Sequence, residues 1–274
     1  MNKYYTRACN FYFGSTSLKN IRKKLSVPLN GNNFISFDKV EVINRKKSKI
    51  INIKDINNLP KNLKSKINQD LKKIKQKKNF KLFALSDIPI LMGIVNLTPD
   101  SFSDGGKYNN KILALKYINN LLTSGAKIID IGGESTRPGA DDINPTKEWD
   151  RVKIVLKMLK KRKCLVSLDT RKSFVMKKAS KIKVDLINDV SGLNYDPKTI
   201  NFLKKTRKPF IIHHMKGTPK NMQTKPKYKN VLLDIYDFFE SKLKYIRKQG
   251  IKHNNIILDP GIGFGKNLKH NITL

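Results

Sequence analysis

Six short apolar runs in this chain each end in a polar side chain able to bind or react. They are ILMGIVN ending at Asn96, KIID at Asp130, CLVSLD at Asp169, VDLIN at Asn188, FIIHH at His214 and NIILD at Asp259. Polar groups at the carboxyl ends of successive buried strands are how a parallel α/β barrel builds an active site, so the pattern points to an enzyme. The loop after the first run, NLTPDSFSDGG from Asn96 to Gly106, carries Thr98, Ser101, Ser103, Asp100, Asp104 and a glycine pair. A plain connection needs two to six residues and no such density of functional groups. The loop after the second run is DIGGESTRPGA, Asp130 to Ala140. Its Ser135, Thr136 and Arg137 are donors suited to an anionic group. Asp130 and Glu134 are expected to pair with a basic residue across the mouth.

The elements that must hold these groups follow from residue 90 onward, where strand, loop and helix alternate. A helix is expected over 111–123, ending at the C-capping Gly125. A second starts at Asn144-Pro145 with Trp149, Val152, Leu156 and Leu159 on one face. A third runs through Phe174, Val175 and Ala179, a short fourth over 199–205, and a fifth from Val231 to Ile246 with a stop at Gly250. The strand runs are rich in Ile, Val and Leu, as strands covered on both faces must be. This rhythm gives the α/β class with parallel βαβ units. A doubly wound sheet and a (β/α)8 barrel both fit it. A polar residue at every strand end, rather than at one switch point, favours the TIM-type barrel.

Ahead of the barrel, residues 1–58 read as a small α+β extension. Strands are expected near 34–43 and 48–53, with a short helix over 18–25. Residues 59–89 read as a Lys-rich helical linker, with Leu63, Ile67, Leu71 and Ile74 at helical spacing. The chain of 274 residues carries a net charge of +36. Residues 1–90 hold 21 Lys/Arg against 5 Asp/Glu, yet the remainder is basic as well, so the charge is a diffuse solvated surface rather than a nucleic-acid footprint. Such a surface attracts anionic substrates. Cys9 and Cys164 stand alone, which implies neither a disulfide framework nor a zinc site. No apolar run reaches membrane-spanning length and no signal peptide is evident, so a soluble, cytoplasmic protein is expected.

The two long loops resemble the signature segments of the dihydropteroate synthase family. SLDT, INDVSG, HHMKGTP and LDPGIGFGK follow in that family's order, so the likeness covers about residues 90–266. It implies condensation of 6-hydroxymethyl-7,8-dihydropterin diphosphate with 4-aminobenzoate, giving dihydropteroate and diphosphate, with Mg2+ as cofactor. By the same resemblance Asn96 is the metal ligand and, with Asp100, part of the catalytic group. Asp100 and Phe102 lie in the first-loop signature. Asp169, Asn188 and Asp259 bind the pterin. Thr136, Arg137 and Pro138 contact aminobenzoate and the leaving group. His214 contacts the diphosphate, Met215 packs on the pterin, and Phe264 of GIGFGK lies on the substrate side. Adjacent His213 and His214 face opposite ways in a strand. They therefore make no simple two-His metal site, and His213 reads as a satisfied core residue.

Full members of the family continue through two more strand–helix units, which supply a Lys from a Ser-Arg-Lys segment and an Arg-x-His pair. This sequence shows neither, so about six of eight β/α units are expected, with the chain read as a fragment of the enzyme; completion by a second chain and decay to an inactive remnant are the alternatives. The family homodimer forms through the last helices and is in doubt for the same reason. Two rivals remain at this point. A pterin-binding methyltransferase barrel shares the strand-end Asp and Asn but has no need of the two diphosphate-handling loops. A basic nucleic-acid-binding protein would rely on the Lys-rich helix within 61–81.

Overall fold

A computed structural model describes residues 3–77, 80, 82, 83, 89–98 and 109–274. The chain divides into two compact units, Met1–Phe80 and Lys81–Leu274.

The first unit is an antiparallel sheet with two helices. Strand β1 (Tyr5–Phe13) is followed by α1 (Gly14–Arg22), β2 (Val27–Leu29), the long β3 (Asn32–Ile43), β4 (Ser48–Asn52), a 3-10 turn (Ile53–Asn58) and α2 (Lys61–Lys75). β3 is the organising strand. β1 pairs along one of its edges, from Tyr5 opposite Ile43 to Phe13 opposite Ile35. β2 and β4 share the other edge. The expected strands correspond to β3 and β4, while β1 carries no apolar alternation that would have announced it. The helix expected over 18–25 lies earlier, at Gly14–Arg22. The Lys-rich segment is also more than a solvated connector. Ile67 and Leu71 of α2 are buried in one cluster with Phe37, Val40 and Ile51 of the sheet and Ile56 of the 3-10 turn, so α2 covers one side of this unit's core. Its polar face adds Asp70, which accepts from Thr6 Oγ1 at 2.8 Å and from Lys66 at 2.6 Å.

Among the described residues the second unit holds six parallel strands: β5 (Met92–Asn96), β6 (Ile128–Gly132), β7 (Leu165–Asp169), β8 (Leu186–Asp189), β9 (Phe210–His213) and β10 (Ile256–Asp259). Between and after them come α3 (Asn109–Thr123), α4 (Pro145–Leu159), α5 (Ser173–Ala179), α6 (Thr199–Thr206), α7 (Val231–Lys248) and α8 (Leu268–Thr273). Each strand pairs with the next in sequence, from β5 through to β10. A doubly wound sheet reverses its order at a switch point; this one never does, which is the winding of a (β/α)8 barrel.

The helix boundaries follow local chemistry. Asn144 Oδ1 caps α4 by accepting from Thr146 N at 2.8 Å, with Pro145 in the first turn. Asn230 caps α7 through Leu233 N at 3.1 Å. Gly125 and Gly250 end α3 and α7 at φ 98° and 83°, a left-handed conformation that costs glycine no steric clash.

Strand alternation sorts the side chains into two layers. Val95, Ile129, Ile131, Val166, Leu168, Ile187, Phe210, Ile212 and Ile256 point outward, where Val152, Leu156, Leu159, Val175, Phe202, Ile235 and Ile246 of the helices cover them. The opposite parity faces inward and carries the polar groups. Among the described residues no helix is long and apolar enough to cross a membrane. Leu168 is fully buried at the centre of the outer layer. Leu168→Ala is expected to cost about 2–5 kcal/mol in urea denaturation, and a loss under about 1 kcal/mol would contradict this packing.

Candidate active site

The site is built by register. Asn96 pairs with Gly132, Gly132 with Asp169, and Asp169 with Asn188 across β5, β6, β7 and β8. Partners in a parallel ladder share a face, so these residues stand at one level on the inner face. Asn188 is opposite Ile211, and two residues further His213 is opposite Asp259. His213 and Asp259 therefore lie on the same inner face, one step nearer the strand ends.

Gly132 is what lets the row close. A Cβ there would lie 3.1 Å from Asn96 Oδ1 and 3.3 Å from Asp169 Oδ2, so both side chains lean over the bare backbone between them. Beneath the row, Asp130 is opposite Ser167, and its Oδ2 accepts from Asn188 Nδ2 at 3.0 Å. That bond fixes the amide: Asn188 points its nitrogen down to Asp130, and its Oδ1 has no protein partner. Burial pushes the Asp130 carboxyl up, partly offset by Ser167 and Asn188. Asp169 is raised well above the usual carboxylate range, first by burial and then by the negative charge of Asp130, Glu148, Asp189 and Glu134. Asp259 Oδ1 accepts from Gly261 N at 2.7 Å. The result is a pocket floor of carboxylates and an amide, whose preferred ligand brings several N–H donors on one edge.

The loop after β10 folds back over this floor. Gly261, at φ 69°, leaves no room for a side chain, since a Cβ would meet His214 O at 2.1 Å. Lys266, only 3% exposed, ties the loop by donating to Gly261 O at 2.8 Å and Phe264 O at 2.9 Å. Phe264 then sets its ring edge-on to His213, 4.5 Å between centroids. Burial lowers the Lys266 ammonium to about 8, against the pull of Asp259.

The two histidines divide as strand parity requires, but with different roles from those expected. His213 is the inward one: it is buried, contacts Val190 O through Nδ1 at 3.2 Å and stands beside Asp259 and Phe264. His214, read from the sequence as a diphosphate contact, faces the helix layer instead. Its ring lies 4.9 Å from Phe238 and 6.4 Å from Phe239 of α7, with Lys266 Nζ 3.1 Å from its Nδ1. The inward parity follows from the register, which sets His213 opposite Asp259, so the last residue of the apolar run, His214, falls on the outer face.

Other expected residues fall as follows. Thr136 is half-buried, while Arg137 and Pro138 are exposed at the tip of the second loop. Met215 is half-buried at the start of the loop after β9. Asp100 and Phe102 lie outside the described residues. The expected partnership of Asp130 and Glu134 with cations holds for Glu134 alone, which meets Arg171 Nε at 2.8 Å and also binds Lys172. Residues 171 and 172 sit two and three positions past a strand-end Asp, and that position was the sequence signal available for them.

A barrel-wound sheet with such a floor belongs to a known class. Residues 92–274 match the family model of the pterin binding enzymes, and the chain belongs to that family. Relatives that it matches over about two thirds of their length include dihydropteroate synthases. It is 46% identical over 190 residues to the dihydropteroate synthase of Neisseria meningitidis serogroup C, covering 69% of this chain and 67% of that one. A Yersinia pestis dihydropteroate synthase crystallised as a sulfonamide drug complex superposes with a TM-score of 0.65 at 42% identity, covering 72% of each chain. A Xanthomonas albilineans dihydropteroate synthase with 4-aminobenzoic acid gives 0.63 at 36% identity, over 69% of this chain and 67% of that one. The chain thus spans about two thirds of the length of the relatives it matches.

One consequence of the histidine geometry is measurable. Burial and the nearby Lys266 hold His214 down to about 4, whereas an unfolded histidine titrates near 6.5. Between those values the unfolded chain binds a proton that the folded one refuses, so stability falls as pH drops from about 6.5 to 4 and is unaffected above that window. His214→Gln is expected to remove about 2 kcal/mol of that acid loss, read as the difference between denaturation curves at pH 7 and pH 4.5. Identical pH dependence in both proteins would refute the burial of a neutral His214.

Proposed function

We propose that this chain carries out the dihydropteroate synthase reaction, joining 6-hydroxymethyl-7,8-dihydropterin diphosphate to 4-aminobenzoate with release of diphosphate. The observation that carries the reading is the in-register inner row of Asn96, Asp169 and Asn188, with Asp259 one step above it on the same face. The pterin ring offers an amide-like edge and an exocyclic amine. Asp259 and Asp169 accept its N–H groups. Asn188, with one N–H given to Asp130, presents its unpartnered carbonyl oxygen to the ring. A ligand lacking those donors leaves buried acceptors unpaired, at about 1–3 kcal/mol each. Phe264 and Met215 supply apolar surface for the ring.

The arylamine nitrogen then attacks the pterin methylene. Its bond to carbon forms as the carbon–oxygen bond to diphosphate breaks, and the nitrogen loses a proton. Arg137 and Thr136, on an exposed loop, offer donors to the anionic ends of the two substrates. Asp100 stabilises positive charge developing on the methylene. The residues also suit Mg2+. Asn96 Oδ1 is a hard neutral oxygen at the open end of the row, beside Asp169 Oδ2 across the bare Gly132 backbone. A single amide oxygen from Asn96 suits a magnesium ion that keeps most of its waters and borrows phosphate oxygens. Asn96 would hold such an ion, whose chemistry there would be Lewis-acid stabilisation of the leaving diphosphate. The setting is a cytoplasmic one, with small molecules as the partners.

The test is direct. Purified chain, both substrates and Mg2+ are expected to form dihydropteroate, and absence of product would refute the assignment. Asp100→Asn is expected to lower kcat by about a hundredfold while the affinity for the pterin diphosphate changes less than twofold. Equal losses in both would remove Asp100 from the catalytic step.

A further inference from the structure

The second loop is held at both ends by two consecutive cations from the third. Glu134, at the loop's start, accepts from Arg171 Nε at 2.8 Å and from Lys172 Nζ. The same carboxylate accepts from Ile143 N, at the loop's end, at 3.1 Å. Arg171 also reaches Asp142 through its second arm. Tyr195, from the loop after β8, completes the grip: its ring lies 4.1 Å from the Arg171 guanidinium carbon, and its hydroxyl donates to Asp142 at 3.2 Å. Lys172 is anchored from below by Glu148 of α4 at 2.8 Å, and Arg151 of the same helix donates to Gly133 O at 2.8 Å. Glu134, Glu148, Arg171 and Lys172 are all nearly fully buried.

Burying so many charges is a poor way to gain stability, because desolvation roughly cancels the attraction. What such a cluster supplies is one geometry, since a planar guanidinium with two occupied arms admits little freedom. The geometry it fixes is the spacing between two functional segments. Arg171 and Lys172 follow Asp169 by two and three residues, and the loop they clamp carries Thr136, Arg137 and Pro138 at its tip. We propose that Glu134, Asp142, Arg171 and Lys172 form an ionic strap that holds the aminobenzoate-side loop at a set distance from the pterin-side Asp169. Arg171 and Lys172 are positioning residues in this scheme and touch neither substrate. The inference rests on the dihydropteroate synthase reading for the identity of the two ligands, while the strap itself does not.

Two readouts separate them. Hydrogen exchange of the backbone amides of residues 135–142 reports the strap without any ligand. Arg171→Met is expected to speed that exchange tenfold or more. Arg171→Lys keeps the charge but not both arms, and is expected to fall between. In the same proteins the KM for 4-aminobenzoate is expected to rise about tenfold, with the dissociation constant of the pterin diphosphate changed less than twofold. If Arg171→Met does not fold, Asp142→Asn, at a side chain 59% exposed, is expected to give the same selective effect in smaller measure. Unchanged exchange overturns the strap. Faster exchange with unchanged or equally weakened binding of both ligands overturns its positioning role. A wild-type chain that binds neither compound refutes the functional reading, and the exchange result then still decides whether the strap exists.

Discussion

The alternation of side chains along parallel strands governs almost everything else in the barrel unit. One parity is apolar and pinned under helices; the other must then face inward, and on this chain it carries Asn96, Asp130, Ser167, Asp169, Asn188, His213 and Asp259. A shift of one residue in any strand would exchange the two sets and bury carboxylates against leucines. The apolar layer therefore does more than stabilise the sheet. It fixes the register that brings groups from six strands to one face.

Gathering carboxylates in this way is costly, and the structure shows where the cost is borne. Asp130 and Asp169 are both pushed toward their neutral forms by burial, and the charge of Asp130 raises Asp169 further. A site that holds acceptors against their own repulsion gains from a ligand bearing hydrogen-bond donors, which relieves both the desolvation and the repulsion. Perturbed carboxyls gathered at strand ends are in this sense the physical signature of the function, independent of any resemblance. The buried Glu134–Arg171–Lys172–Glu148 cluster beside them is electrically different: cations and anions alternate, and Glu134 is held below its usual range by its two partners despite burial.

Much of this was legible in the sequence, for reasons that are local. The strand ends could be read because apolar runs stop abruptly at a polar residue. The caps at Asn144-Pro145 and Gly125 could be read because capping depends on neighbours alone. What could not be read depends on register and tertiary contact. Nothing in FIIHH says which of the two histidines faces inward, because that is set by the pairing of His213 with Asp259. Nothing in the Lys-rich stretch says that Ile67 and Leu71 meet an antiparallel sheet. β1, whose exposed and half-buried positions follow no simple alternation, becomes a strand only because β3 offers it an edge. The ionic strap joins residues more than 20 positions apart and leaves no periodic trace.

The central claim is that the inward parity is the pterin-binding surface. Asn188 and Asp189 test it side by side. They are adjacent, both are buried, and they face opposite layers, Asn188 toward Asp130 and Asp189 toward Lys242 of α7. Calorimetric titration of dihydropterin diphosphate into Asn188→Ala and Asp189→Asn is the most direct measurement. Affinity is expected to fall tenfold or more for Asn188→Ala, in line with the loss of a buried hydrogen bond, and to stay within about twofold for Asp189→Asn. Equal weakening in the two variants, or the reverse order, would contradict the account.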